Sequence, residues 1–240
     1  MREGRFLGRG AMGDVHEVTV KGHKLALKRM VIKRKLDGRE KREIEILKRL
    51  SSHQHIIQLV GTYTHHQFLG LLLYPVAVCD LHTLFEDVEA WQATEVHSSN
   101  LDSRKNMLDT AQIFRLDALG YDFPLKDRPY HASLIYSKLG CLLSALSYLH
   151  YEKIRHKDLK PSNILLSKNR MWLSDFGSAT DFSLLSQSAT DNERGTPRYF
   201  SPEVCSEMRH NKIYQSSLTL SIKHRWPHGS RMAERQTYFH

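Results

Sequence analysis

Hydrophobic and polar positions alternate along the first third of the chain and recur at helical spacing through much of the remainder. Two alternating segments flank the stretch Gly8-Arg9-Gly10-Ala11-Met12-Gly13-Asp14-Val15, the second of them β-branched over residues 15 to 20, and both read as strands. Leu25-Ala26-Leu27-Lys28 predicts a third strand and residues 58 to 63 another. Residues 68 to 76 form a strongly apolar strand that runs into Pro75, a breaker. Between them, residues 39 to 50 place Ile44, Leu47 and Leu50 on one face and charges on the other, which predicts an amphipathic helix. The helical period returns at Leu134, Leu139, Leu142, Leu143, Leu146 and Leu149, predicting a helix over residues 131 to 150. Ile164-Leu165-Leu166 and Met171-Trp172-Leu173 then read as a strand and its return.

Three stretches break the pattern. Residues 83 to 130 are polar and mixed, with weak helical signals over 84 to 93 and 107 to 116 and a turn-prone run over 122 to 129. They read as a linking helix with an inserted surface segment, either a partner site or a mobile loop. Residues 178 to 194 are Ser/Thr-rich and aperiodic. Residues 206 to 240 scatter basic side chains among His, Ser and Gln without a sustained apolar face.

The 240 residues are enough for one large domain or two lobes around a cleft. A formal charge of +9 fits either an anionic partner or a basic surface around a phosphate site, and with no nucleic-acid motif beside it no nucleic acid is expected. Cys79, Cys141 and Cys205 have neither an even count nor metal spacing, so they read as reduced thiols in a cytoplasmic or nuclear, soluble protein. The fifteen histidines include the close pairs His53/His55 and His65/His66, but no nearby cysteines or H-E-x-x-H helix accompany them, and they read as surface residues. No apolar run approaches the roughly 18 residues of a membrane span, and the start lacks a signal-peptide core, so no membrane is expected.

The candidate chemistry lies in His156-Lys157-Asp158-Leu159-Lys160-Pro161-Ser162-Asn163, followed by Asp175-Phe176-Gly177. Asp158 and Asn163 lie five apart with Lys160 between them, and Asp175 returns on the next strand. A base, a cation and two oxygen ligands can therefore converge on one phosphate-sized space. The octapeptide resembles the catalytic loop of eukaryotic protein kinases, and Asp175-Phe176-Gly177 resembles their metal-binding loop. Lys160 is the serine/threonine form of that loop, while Lys157 stands where the family has Arg and lacks its bidentate fork. The glycine stretch, which alone would also fit an ordinary turn, resembles the loop that folds over ATP phosphates. Leu25-Ala26-Leu27-Lys28 is similar to the strand whose lysine holds them; alone, Lys28 would also fit a solvated edge charge.

The resemblance implies an α+β, two-lobe fold with a small β-rich N-lobe over residues 1 to 76, a helical C-lobe over 77 to 205, and a tail unlike the family from 206. It implies an ATP- and Mg2+-dependent serine/threonine kinase. Asp158 would orient the hydroxyl of a protein substrate, Lys160 would neutralise developing charge, and Asn163 and Asp175 would hold magnesium. Glu43 stands in the position of the family's helix glutamate and would pair with Lys28; the rival, Glu45, lies about 200° round the helix from it and should face water. The nucleotide would lie against Leu7, Gly8, Gly10, Gly13, Val15, Ala26, the gatekeeper Leu73, the hinge residues Tyr74 and Val76, Asp80 near the ribose and Leu165 below adenine. Leu47, Leu59, Phe176 and His156 would stack in a column between the lobes. Ser186, Ser188 and Thr190 would be acceptors for an upstream kinase acting on the 178 to 194 loop. Residues 195 to 203 resemble the stretch that holds the acceptor peptide, with Ser201 in place of Ala. The legible motifs stop at about Val204, where the family continues into a long buried helix, so the expectation is a kinase domain truncated after Pro202-Glu203. The rival expectation is a catalytically impaired fragment or a pseudokinase-like scaffold that binds nucleotide or protein.

Overall fold

A computed structural model describes residues 2–10, 13–32, 38–121, 123, 136, 138–183 and 195–199, all within one unit, Met1–Tyr199. The remaining residues, among them Ala11, Met12, Leu134, Ser186, Ser188, Thr190, Ser201, Pro202, Glu203 and the tail from 206, lie outside the described set.

The N-terminal strands form one antiparallel sheet from β1 (Arg2–Gly10), β2 (Gly13–Val20), β3 (His23–Val31), β4 (Gln58–His65) and β5 (Phe68–Tyr74), in the order β1-β2-β3-β5-β4. β3 is the centre of the sheet and is buried on both faces. Leu25 and Leu27 join Val18 on one side, while Met30 joins the main core on the other. At Gly13 β2 lies so close to β3 that a Cβ would run into the Arg29 carbonyl oxygen, so only glycine fits.

The helix α1 (Gly38–Arg49) lies between β3 and β4 in sequence. Its buried face carries Glu40, Glu43, Ile46 and Leu47, with Leu50 just beyond its end, whereas Ile44 is only half-buried. The apolar face is thus rotated from the Ile44/Leu47/Leu50 line, because a carboxylate, Glu43, takes one of the inward positions. Glu45 is exposed, as its angular offset requires.

Below the sheet, β6 (Cys79–Asp80) leads into α2 (Leu81–Ala93), α3 (Leu101–Lys105), α4 (Thr110–Leu119) and α5 (Leu139–Tyr151). These are followed by β7 (Ile154–Arg155), β8 (Ile164–Leu166), β9 (Met171–Leu173) and β10 (Thr180–Asp181). β6, β8 and β9 form a small sheet, and β10 pairs with β7. The described residues form an α+β, two-lobe structure.

Within the stretch expected to be a linking helix and surface loop, the described residues 83–121 form short helices around a core of their own. Asp80 caps α2 by accepting the Thr83 N–H at 2.8 Å, and Asp109 and Gln112 form a capping box on α4. Leu81, Leu84, Trp91, Leu108, Leu116, Leu119 and Tyr121 then build a core against β8 and β9. Arg115 forks onto the buried Asp87 carboxylate at 2.7 and 2.6 Å. The buried Arg104 bonds Thr94 Oγ1 at 2.9 Å and lies over the Trp91 ring at 4.0 Å. Spread over three short helices, these apolar residues give no long period. α5 begins at Leu139, and residues 124–135 and 137 lie outside the described set. It buries Ala145 and Leu149, leaves Leu142 and Leu146 half-buried, and exposes Leu143 by 65%. Among the described residues no helix is long and apolar enough to cross a membrane.

One continuous core joins the halves. Met30, Ile46, Leu47, Leu50, Leu69 and Leu71 from above meet Leu149, Ile154, Leu173 and Phe176 from below. Leu47 and Phe176 are buried in this cluster and Leu59 packs on it; the His156 ring meets Phe176 edge-on at 4.9 Å. The core thereby fixes where the central strand and the lower loops meet.

Candidate active site

Lys28 sits mid-β3, opposite Val15 on β2 and Leu71 on β5, and its ammonium points to two carboxylates from other elements. Nζ donates to Glu43 Oε1 at 2.7 Å and to Asp175 Oδ1 at 2.9 Å. Burial by itself pushes the ammonium down, but the Glu43 and Asp175 carboxylates outweigh it and raise Lys28 above the ordinary lysine value. The same lysine holds Asp175 below the ordinary aspartate value against a burial effect of opposite sign. Asp175 itself has left-handed backbone, φ 60 and ψ 75, which turns its side chain out of β9 toward the lysine.

The other predicted nucleotide contacts lie on strands paired with or near β3 and on the β6–β8 pair. Gly8 pairs with Val15 and Gly10 with Gly13, so Leu7, the three glycines and Val15 belong to the β1–β2 hairpin. Ala26, one pleat from Lys28 on the same face of β3, lies opposite Leu73, and Leu73 lies opposite Leu59. Tyr74 is exposed and Val76 half-buried. Leu165 faces Asp80 across the β6–β8 pair. One Asp80 oxygen is committed to capping α2, so the ribose role expected of this residue would fall to a side chain already serving as a cap.

The catalytic-loop residues form a second cluster. The Asn163 side-chain amide donates to the Asp158 carbonyl oxygen at 2.8 Å and to Asp158 Oδ2 at 3.1 Å, and Lys160 Nζ reaches Oδ2 at 2.7 Å. Two residues absent from the sequence-based set complete it. Thr196 donates both its N–H and its Oγ–H to Asp158 Oδ1, each at 2.7 Å, and its hydroxyl oxygen accepts from Lys160 at 2.9 Å. Ser174 binds the Asn163 carbonyl oxygen through N–H and Oγ–H, while its own carbonyl accepts from His156 Nε2–H at 2.9 Å. Thr196 was visible only as part of a peptide-holding stretch, and Ser174 only as the residue before Asp175. Burial pushes the Asp158 carboxyl up, but Lys160 and Thr196 outweigh this and hold it below the ordinary aspartate range. It is therefore an ionised acceptor at neutral pH.

The donor set fits a magnesium nucleotide. Asn163 offers its amide oxygen and Asp175 its second carboxylate oxygen, hard ligands that take no hydrogen bond among the described residues. Lys28 and Lys160 stand against Glu43, Asp158 and Asp175, which leaves one negative charge over to favour a cation. Among the described residues no three His, Cys, Asp or Glu side chains converge as a metal cage. Magnesium characteristically binds one or two protein oxygens together with substrate phosphates, so two such ligands suffice.

A family model of the protein kinase domain matches residues 1–115 and 117–218. The chain belongs to the protein kinase family. The match continues past Val204, where the legible motifs stop, to residue 218. Among relatives of this kinase, mitogen-activated protein kinase kinase kinase ANP1 of Arabidopsis thaliana is 26% identical over 88% of the chain and 28% of its own length. Serine/threonine-protein kinase fused of Drosophila melanogaster is 28% identical over 84% of the chain and 21% of its own length. A shorter match to 3-phosphoinositide-dependent protein kinase B of Dictyostelium discoideum reaches 49% identity over 70 residues, 28% of the chain and 8% of that protein. The chain thus spans less than a third of the length of these relatives.

Proposed function

We propose that this kinase binds ATP with magnesium and transfers the γ-phosphoryl group to Ser or Thr hydroxyls of a protein substrate. The observation that carries the reading is the contact of Lys28 with both Glu43 and Asp175, which brings the phosphate-holding strand to the metal-binding loop beside Asp158. Asn163 and Asp175 would hold the magnesium, which would supply positive charge against the phosphates. Lys28 would hold the inner phosphates while Glu43 keeps it aimed. Asp158, ionised and weakly basic, would accept a hydrogen bond from the substrate hydroxyl and orient it in line, taking the proton only as the oxygen loses charge to phosphorus.

All four lone-pair positions of Asp158 are engaged, so the incoming hydroxyl must replace one donor. The Thr196 hydroxyl can yield by rotation while its N–H keeps the carboxylate placed. Lys160 would then follow the transferring phosphoryl group. Leu7, Gly8, Gly10, Gly13, Val15, Ala26, Leu73, Tyr74, Val76, Asp80 and Leu165 supply the nucleotide surface. Two relatives carry kinase kinase kinase or serine/threonine-protein kinase in their names, which supports a hydroxyl acceptor on another protein, and an upstream kinase acting on residues 178 to 194 is the matching regulator. A cytoplasmic or nuclear site of action goes with these partners.

Replacing Asp158 with Asn tests the assignment. Phosphoryl transfer from radiolabelled ATP to a generic basic protein should fall by at least about 10²-fold, while the thermal shift produced by ATP and magnesium persists. A thermal shift in the parent chain without any transfer would instead favour a nucleotide-binding scaffold, and loss of the shift in Asp158→Asn would overturn the role given to Asp158.

A further inference from the structure

The helix α4 is pinned to the lower half of the molecule and yet meets the upper sheet. A capping box at Asp109 and Gln112 fixes its start, Leu116 and Leu119 are buried beside β8 and β9, and Arg115 forks onto the Asp87 carboxylate of α2. Phe114, the residue before that fork, is left 56% exposed. What it touches is β1: the Arg5 guanidinium lies over its ring, 5.7 Å from the centroid and within cation–π range.

Arg5 stands in the row of the sheet assigned to adenine. Its guanidinium reaches Glu17 at 3.9 Å, Glu17 lies opposite Ala26 on β3, and Ala26 lies opposite Leu73 on β5. Glu17 is one pleat from Val15 and so shares its face of the sheet. The lower boundary is Cys79, the neighbour of Asp80. Burial drives its thiol up to about 12, Asp80 and Asp87 add to the rise, and Arg115 and Arg5 both oppose it. One arginine from β1 and one from α4 therefore flank the residue beside Asp80, and Phe114 closes the distance between those two elements.

We propose that Phe114 and Arg5 are specificity-determining residues that close the ribose side of the nucleotide site, so that ATP fits within them and a nucleotide enlarged at a ribose hydroxyl must part them. The proposal rests on the ATP reading above and adds to it a limit on nucleotide shape. A contact that costs nothing to the accepted ligand and must be broken by its rival selects between the two. Phe114 gains little else from its position, since α4 is already held by its cap, its buried leucines and the Arg115 fork.

The test measures equilibrium binding of ATP with magnesium, and of N-methylanthraniloyl-ATP, which carries its bulky group on a ribose hydroxyl. It compares the full chain with Phe114→Ala, Arg5→Gln and the double variant. Phe114 is exposed and Glu17 keeps Lys24 as a partner at 2.9 Å, so neither substitution leaves a cavity or a stranded charge. Breaking an exposed cation–π contact changes an equilibrium constant about two- to fivefold. Each single variant should therefore bind the enlarged nucleotide tighter by that factor relative to ATP, and the double variant should match the better single one, since both remove one contact. An unchanged preference in both single variants, weaker binding of the enlarged nucleotide in Phe114→Ala, or additive gains in the double variant would each overturn the proposal. If the parent chain binds neither nucleotide, the ATP reading itself fails and takes the selection with it, whereas ATP binding without the change in preference refutes the selection alone.

Discussion

Gly195→Ala isolates the contact between the acceptor-side segment and the catalytic aspartate. Gly195 does not need its backbone freedom, because its φ lies outside the left-handed region; it needs the space. A methyl group there would overlap the Lys157 carbonyl oxygen and sit 2.7 Å from Asp158 Oδ1 and 2.8 Å from Asp158 Cα. Restoring ordinary contact at about 3.5 Å requires a retreat of roughly 1 Å. The adjoining Thr196 bonds to Asp158 Oδ1, each 2.7 Å, would then pass beyond hydrogen-bond range. A hydrogen bond to a charged group contributes about 1.5–3 kcal/mol, and a tenfold rate change corresponds to about 1.4 kcal/mol, so losing the effect of one such bond predicts a fall in kcat of about 10- to 100-fold. Transfer from radiolabelled ATP measures it, with the ATP-magnesium thermal shift as the control for Lys28 and Asp175, which do not touch Gly195. Thr196→Ser, which keeps the N–H and the hydroxyl, should stay near parent activity. A folded Gly195→Ala protein with kcat within about twofold of the parent would refute the reasoning, and so would a variant that loses the nucleotide shift together with activity.

Lys28→Met should lower kcat/KM for ATP by at least about tenfold, and adding Glu43→Gln should cost little more, because the two act as one buried unit; steady-state kinetics of both single variants and the double variant check this. Arg115→Lys removes one arm of the fork on buried Asp87 and should destabilise the chain by about 1–3 kcal/mol in urea unfolding while leaving kcat unchanged. His156 supplies a pH dependence. Burial pushes its pKa below the ordinary imidazole value, and the neutral ring donates from Nε2 to Ser174 and accepts the Asp158 N–H at Nδ1. Its stabilising contribution is therefore complete above the unfolded-state value of about 6.5 and is lost as pH falls through the lower folded value. The unfolding midpoint should drop below about pH 6.5 less steeply in His156→Phe than in the parent, and equal slopes would exclude His156 as the titrating group.

Sequence legibility followed separation along the chain. Asp158 and Asn163, whose bond spans five positions, could be read as a unit from their spacing. Glu43 could be chosen from the family resemblance, with helical geometry turning Glu45 to water, although its partner Lys28 lies 15 positions away. The Arg115–Asp87 fork spans 28 positions, the Thr196–Asp158 bonds 38, and the Arg49–Asp181 pair 132, and no local pattern announces any of them. The helices between α2 and α5 were hard to read for a related reason. Their core is assembled from short pieces against β8 and β9, so the apolar period that identifies a long helix never accumulates.

The same distinction accounts for how the site is held. Local motifs supply the reacting groups, but each group is aimed by something remote: Lys28 by α1, Asp158 by the segment at Thr196, and Asn163 by Ser174 in the loop after β9. Lys28 and Lys160 are already paired with carboxylates, so phosphate, bound as proposed, would exchange partners at fixed positions and would not have to gather free side chains. Such preorganisation makes the field at the phosphoryl group depend on elements that never touch it. On the proposed mechanism, a change confined to α1 or to Ser174 should therefore alter transfer without altering any residue proposed to meet ATP.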